Sequence, residues 1–500
     1  MSETARTARG ALVVGAGQVA LALAGFVAAL LLARELGPGA YGVWGIVYSI
    51  LAGVEQIGRL GIPQATSRLV AEAGGRDRIL ERRATTLVGF LFALLFLGLW
   101  FAAPRLEEIF AIPDGTRLLR IAAFDVVPFG LFAVAIAVLN GRRDFVLEGT
   151  ANLVYAGTRI LGLLLVLPFG LTIEAALWVT VASSLCGLLA AFARIGPGIL
   201  GPRFDGFGPI LAVAAPVAVA WGASGLLSQL DLWALNAFGA GIVPEVKGWY
   251  TAALNLARLP NLLAFVATSI LVPTIARALS AADRPGALGA LREGSRWMLI
   301  LLVPMAAIGA VEAREIMSLV FGPAFAEGGS LLALLILAHG VLYTGFVTLG
   351  SVLLAAGRER ISALLAPAAA GMGLVLLPLG TMLFGAAGTA LGSLGVGLFA
   401  CTIGALAVHR LVGPLLEPSA LLRILLAGAG AAALASVVPG QGFWLIGELA
   451  LVGLAYLALL LATGAVARDE VLALLGAGAR NSVAPRAAAA APMDGSGPSV

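Results

Sequence analysis

The sequence predicts an all-α polytopic membrane protein. About fourteen transmembrane helices form two six-helix lobes related by a pseudo-twofold repeat, followed by two extra C-terminal helices. Three observations predict this: the composition, a series of apolar runs of bilayer length, and the sorting of the arginines. Of 500 residues, 60% are apolar and 12% charged, with a mean hydropathy of +1.02. An ordinary soluble domain carries about 25% charged residues. So few polar groups cannot cover a water-facing exterior. A cytoplasmic enzyme, a disordered chain and a nucleic-acid binder are therefore excluded. Cys186 and Cys401 are the two cysteines, both in apolar runs, which excludes a disulfide scaffold or a zinc site.

A bilayer core takes about 20 apolar residues per helix. Runs of this kind cover 11–33, 43–62, 84–103, 118–139, 149–170, 174–193, 208–235, 248–272, 297–313, 330–354, 361–384, 387–408, 419–438 and 443–463. The first run is longer than the ~7–15 residue core of a cleaved signal peptide, so it is read as a helix.

With an even number of spans, both termini lie on one side. On that side 22 of the 31 basic residues fall outside the spans, among them Arg76, Arg78, Arg82 and Arg83 between spans 2 and 3. The opposite side has six: Arg34, Arg105, Arg117, Arg120, Lys247 and Arg314. Such asymmetry predicts that both termini are cytoplasmic. The net charge of +4, at first sight a hint of an acidic partner, is mainly a topology signal.

The two halves also resemble each other. Tyr41-Gly42 opens span 2, and Trp249-Tyr250 opens span 8. Pro63 follows span 2, and Pro273 follows span 8. Gly141-Arg142 ends span 4, and Gly357-Arg358 ends span 10. The offsets are 209, 210 and 216, as a duplicated six-helix unit predicts. The expected organisation is an N-terminal lobe (1–194), a Gly/Pro linker (195–207) that lets the lobes move, and a C-terminal lobe (208–413). Two extra helices and a short interfacial helix from Arg468 to Leu475 complete 414–475, and an Ala/Pro/Gly/Ser-rich tail (476–500) is expected to be disordered.

Several strings resemble the polysaccharide and oligosaccharide flippase family, within the multidrug/oligosaccharidyl-lipid/polysaccharide superfamily. They are Ala33-Arg34-Glu35-Leu36-Gly37-Pro38 with Tyr41-Gly42; Asp231, then Gly248, Tyr250, Ala252 and Ala253; Val320-Phe321-Gly322-Pro323; and Ala356-Gly357-Arg358 with Gly385-Ala386-Ala387-Gly388. The likeness runs over roughly residues 8–475. It implies two lobes facing each other across a central cavity, and movement of undecaprenyl-pyrophosphate-linked glycans across the bacterial inner membrane. Membrane lipids and polysaccharide-assembly proteins would be its partners, with coupling to H+, Na+ or the membrane potential. Drug antiporters of the superfamily typically carry an acid in span 1, where this chain offers only Gln18 as a polar side chain.

A charge at the bilayer centre costs about 2.5–3.5 kcal/mol on insertion scales, so an intramembrane ion is a candidate site by default. Arg159 and Arg258 sit about ten residues into spans 5 and 8, too deep to snorkel easily. Arg59 lies near a span end. A lipid diphosphate crossing a low-dielectric slab needs a permanent cation with planar donors, which arginine supplies. These three arginines are therefore the candidate headgroup ligands, with structural pairing to a membrane acid as the alternative. Asn255 and Asn261 flank Arg258 at spacings of three, which predicts one broad polar face toward the cavity, with hydrogen bonding between packed helices as the alternative.

Glu55, Asp125 and Asp231, with Gln229, are the coupling or gating candidates. Glu55 lies four residues before Arg59, the spacing of an intrahelical pair. Glu448 lies outside the repeat. His339, four residues before Tyr343, and His409 are the only histidines. No zinc-protease, nucleotide-loop or nucleophile-elbow motif occurs, so neither an enzyme nor a cofactor or metal site is expected. A cation-coupled multidrug exporter and a peptidoglycan-precursor flippase are the alternatives. A membrane glycan polymerase or ligase fits less well, because the outer loops are short.

Overall fold

The computed structural model describes residues 3–470 apart from 76, 439, 441 and 443. The tail 476–500, the last part of the expected interfacial helix, and the side chains of Gln18 and Pro216 lie outside the described residues. The described residues are helical throughout, with no strand among them.

The first half contains α1 (Glu3–Arg59), α2 (Ile62–Glu72), α3 (Arg78–Phe110), α4 (Gly115–Gly141), α5 (Phe145–Val166) and α6 (Ile173–Ile195). The helix starts are chemically marked. Asp77 Oδ1 accepts from the backbone N–H of Ile79 at 2.9 Å, opening α3, and Thr172 Oγ1 accepts from Ala175 at 3.2 Å, opening α6. The second half contains α7 (Gly208–Phe238), α8 (Pro244–Ala257), α9 (Asn261–Ser280), α10 (Arg284–Val311), α11 (Ala313–Phe321) and α12 (Gly329–Leu335). A π-helical stretch (Ile336–Tyr343), α13 (Thr344–Ala355) and α14 (Glu359–Leu411) follow, then α15 (Pro418–Ala435) and α16 (Trp444–Ala462).

Ten helical stretches are long and apolar enough to cross a membrane. Two of them fold double. α1 reverses at Gly37, whose φ of 70° and ψ of 171° suit only glycine, directly before Pro38. α14 reverses at Phe384-Gly385. With α7 and the α8–α9 pair, each of the fourteen apolar runs has a helical counterpart. We call the face bearing the Gly37, Gly239 and Gly322 turns the far face, and the face of the N-terminus the near face.

Span 8, read from sequence as one helix, is broken in two. Arg258, Leu259 and Pro260 form a turn between α8 and α9, because Pro260 has no N–H to give and its ring clashes with the preceding turn. Pro304, Pro367 and Pro273 instead lie inside continuous helices.

In lipid, close packing rather than water exclusion holds helices together, and small residues permit it. The second limb of α1 crosses α8 in this way. A Cβ on Gly42 would stand 2.7 Å from the Gly248 nitrogen, and one on Gly248 would stand 1.8 Å from the Pro38 carbonyl oxygen. Around this crossing a buried cluster with Tyr41, Trp44, Tyr250, Phe321 and Phe325 joins the two lobes and closes the far face. Each lobe also has its own core, and α15 and α16 pack on α10 through Ile424, Val452 and Ile300. Large apolar side chains such as Phe101, Leu165, Leu189 and Met382 point outward, as a lipid-facing belt requires.

The linker is strapped to the first lobe. Arg82 Nε donates to the Gly198 carbonyl at 2.6 Å, and Asp205 accepts from Arg83 at 2.8 Å and from Arg203 at 2.9 Å. Between Asp205 and the start of α7 the chain turns at Gly206 (φ 68°). At the near face Arg142 grips fully buried Glu81 with two hydrogen bonds of 2.5 and 2.6 Å.

Candidate functional site

A cavity of about 310 Å³ lies between the lobes. α1 supplies Phe26 and Ala29 from its first limb and Trp44, Tyr48 and Ser49 from its second. α5 supplies Arg159, α7 supplies Gln229 and Leu232, and α8 with the following turn supplies Thr251, Asn255, Arg258 and Leu259. The structure thus brings Arg159 and Arg258, one from each lobe, to one cavity with Gln229 and Asn255.

Arg159 is 7% exposed. Its Nη1 donates to the Tyr48 hydroxyl at 3.1 Å, and its guanidinium carbon stands 4.9 Å from the Tyr48 ring centroid, a cation–π contact. Behind it lies Asp125, whose neighbours are Ser184, Glu55 and Arg159. Asp125 is 1% exposed. Arg258 sits in the Pro260 break and donates to the Ser228 backbone carbonyl. Its acid neighbour is Asp231. Asp231 Oδ1 accepts from Ser393 at 2.9 Å, and the Ser393 hydroxyl lies 3.4 Å from the Tyr250 hydroxyl. Asp231 Oδ2 is 2.6 Å from His339 Nε2. His339 stands in the π-helical stretch, a distortion frequent at functional sites.

The other candidates fall elsewhere. Arg59 does not line the cavity; it donates to Gln56 Oε1 at 3.0 Å and stacks over Phe129 at 5.1 Å, while Glu55 faces Asp125. The polar face expected of Asn255, Arg258 and Asn261 is split by the helix break. Asn255 donates to the Tyr41 hydroxyl at 2.9 Å, whereas Asn261 accepts from Thr344 on α13 at 2.5 Å. Glu448 is buried where α16 meets the end of α10, near Glu312. Tyr48, Ser184 and Ser393 were not singled out from sequence. Tyr48 could have been, since it precedes Glu55 by two helical turns on the same limb of α1. Arg34, counted from sequence as a loop cation, donates to the Val320 and Leu319 carbonyls at 2.9 and 2.7 Å. It thereby ties two of the strings that carried the family resemblance across the far face.

An apolar groove adjoins the cavity through Leu259. Pro304, Met305, Ile308, Ile336 and Leu449 line it, between α10, the π-helical stretch and α16.

A lobed helical fold of apolar spans with a cavity between the lobes defines a multi-pass membrane protein. Residues 7–279 match the model of the family described as "Polysaccharide biosynthesis protein", and the chain belongs to that family. No curated protein matches by sequence. Among solved structures, the chain is similar to the lipid II flippase MurJ in an inward closed conformation, with TM-score 0.75 and 15% identity over 90% of this chain and 98% of that one. An inward-facing multidrug-resistance MATE transporter of the MOP superfamily gives TM-score 0.63 and 14% identity over 78% of this chain and 95% of that one. A MOP superfamily transporter from Pyrococcus furiosus gives 0.56 and 15% over 81% and 96%. The fold is thus that of the MOP superfamily.

Proposed function

We propose that the protein is a flippase that carries an undecaprenyl-diphosphate-linked oligosaccharide across the bacterial cytoplasmic membrane by alternating access, with both termini in the cytoplasm. The carrying observation is the pair Arg159 and Arg258, one from each lobe, in the lining of one cavity. Two permanent cations on different lobes can grip one diphosphate and move with it as the lobes rock. Gln229 and Asn255 add neutral donors beside them, and the groove behind Leu259 gives an isoprenoid tail an apolar path out of the same space. Membership of a polysaccharide biosynthesis family supports a glycan cargo. An organic cation would meet two guanidinium groups, which argues against drug export.

Transport of a fluorescent lipid-linked oligosaccharide in reconstituted vesicles tests the reading. Arg159→Ala and Arg258→Ala should each slow it strongly at equal protein levels. Wild-type transport of drug cations but not of the lipid would overturn it. Peptidoglycan precursor carries the same diphosphate and tail, and a lipid II flippase shares the fold. Competition between the two lipids decides which glycan the cavity prefers.

A further inference from the structure

Arg120 is a membrane-end arginine that no acid answers. It stands five residues past the start of α4, about 7 Å deeper than the helix end at the far face. Its guanidinium carbon lies 5.1 Å from the centre of the Trp100 ring on α3, a cation–π contact, and its Nε is buried without a hydrogen-bond partner. Among the described residues no carboxylate forms an ion pair with it. Arg117, one turn nearer the far face, is instead paired with Glu174 of α6 at 2.8 Å. A cation held near lipid without a counter-charge is open to an anion.

Arg120 lines a pocket of about 410 Å³ together with Trp100, Phe124, Glu107 and Asp114. Chain order sets their depth. Phe124 lies one turn deeper than Arg120 on α4, and Trp100 two turns deeper than Glu107 on α3. Phe124 is 42% exposed and stacks on Trp178 at 5.6 Å, so the deep end of the pocket joins the lipid-facing belt. The shallow end is acidic. The Thr116 hydroxyl and backbone N–H both donate to Glu107 and hold its carboxyl below the ordinary glutamate range. Asp114 is exposed at the turn and caps no backbone N–H.

Apolar rings, then a cation, then two carboxylates, in order of decreasing depth, complement acyl chains, phosphate and amine. We propose that this pocket binds a phospholipid of the far-face leaflet that carries a primary amine, with its phosphate on Arg120, its ammonium on Glu107 and Asp114, and its acyl chains over Trp100 and Phe124. A lipid with a net negative headgroup would set that headgroup against the two carboxylates. A quaternary amine has no N–H to give them. None of the lining residues lines the cavity between the lobes, so the occupant comes from the surrounding bilayer. It bridges α3 and α4 beside their connecting turn, and its binding therefore stabilises the first lobe.

The purified full chain in detergent, titrated with phosphatidylethanolamine, phosphatidylcholine or phosphatidylglycerol of equal chain length, tests this by native mass spectrometry and thermal melting. The ethanolamine lipid should bind about tenfold more tightly than either other lipid and raise the melting temperature most. Arg120→Ala should weaken its binding about tenfold and remove the rise. Glu107→Gln/Asp114→Asn should keep binding but lose the preference among the three lipids. Should Arg120→Ala alone melt far below wild type without lipid, Trp100→Leu, which takes the ring from under the cation, replaces it with the same expectation. Equal or tighter binding of phosphatidylglycerol by wild type overturns the choice of lipid. Unchanged ethanolamine-lipid binding in both the Arg120 and Trp100 variants overturns the site.

Discussion

Arg159 and Arg258 reach one cavity from opposite lobes and are held there in opposite ways. Arg258 is tied to the backbone: one of its donors goes to the Ser228 carbonyl, and its acid neighbour Asp231 accepts from Ser393 and lies against His339. Arg159 is held through the Tyr48 hydroxyl and ring, with Asp125 behind it. A side-chain contact can turn with its rotamers, whereas a carbonyl in a packed helix is fixed in place. The second lobe therefore offers the more firmly anchored cation and the first the more adjustable one.

The largest effect expected from this contrast is on stability. Asp231→Asn strips the counter-charge from a buried network and should cost about 3–5 kcal/mol, because His339 and Arg258 are left behind. Asp125→Asn removes a like charge from beside Glu55 and keeps the shape of the side chain, and it should leave stability unchanged or raise it. Equal losses for the two variants in thermal unfolding would erase the distinction. Next in size is headgroup affinity. Arg159→Ala and Arg258→Ala should each cost about 1.5–3 kcal/mol of diphosphate binding, as loss of a charged hydrogen bond does. A smaller effect is expected at the far face. Arg34→Ala removes two hydrogen bonds to the end of α11 and should weaken closure by about 1–2 kcal/mol. Cysteine labelling near Phe325 should then be faster; an unchanged rate would remove Arg34 from the gate.

The fourteen spans were legible because bilayer length and arginine sorting are one-dimensional signals. The folding back of α1 was legible in part, since Gly37-Pro38 marks a turn without giving its angle. Arg159 and Arg258 were legible from depth alone. What was not legible needs two helices at once. The break at Pro260 looks in sequence like Pro304 or Pro367, yet only Pro260 divides its span, and that break sends Asn261 to Thr344 instead of to the cavity. Glu55 stands at pairing distance from Arg59 along α1, but its neighbour across the lobe is Asp125. The π-helical stretch that sets His339 against Asp231 has no periodicity signal in an all-apolar run.

The asymmetry of the lobes extends to the linker, which belongs to the first. Asp205 accepts from Arg83, and this hydrogen bond, with help from Arg203, holds its carboxyl below the ordinary aspartate range. A depressed value in the folded state means that the strap is fully present above the unfolded value and is lost as pH falls through the lower folded one. The pairs are exposed, with side-chain accessibilities of 27% and 56% for Arg83 and Asp205, so the effect is small and screened by salt. Hydrogen exchange at 203–207 should stay slow from neutral pH down to about pH 4 and rise only below it. Asp205→Asn should exchange fast across the whole range. A rise in wild type at about pH 6–7, where histidine titrates, would show that some other group carries the strap, and the linker would then no longer count as part of the first lobe.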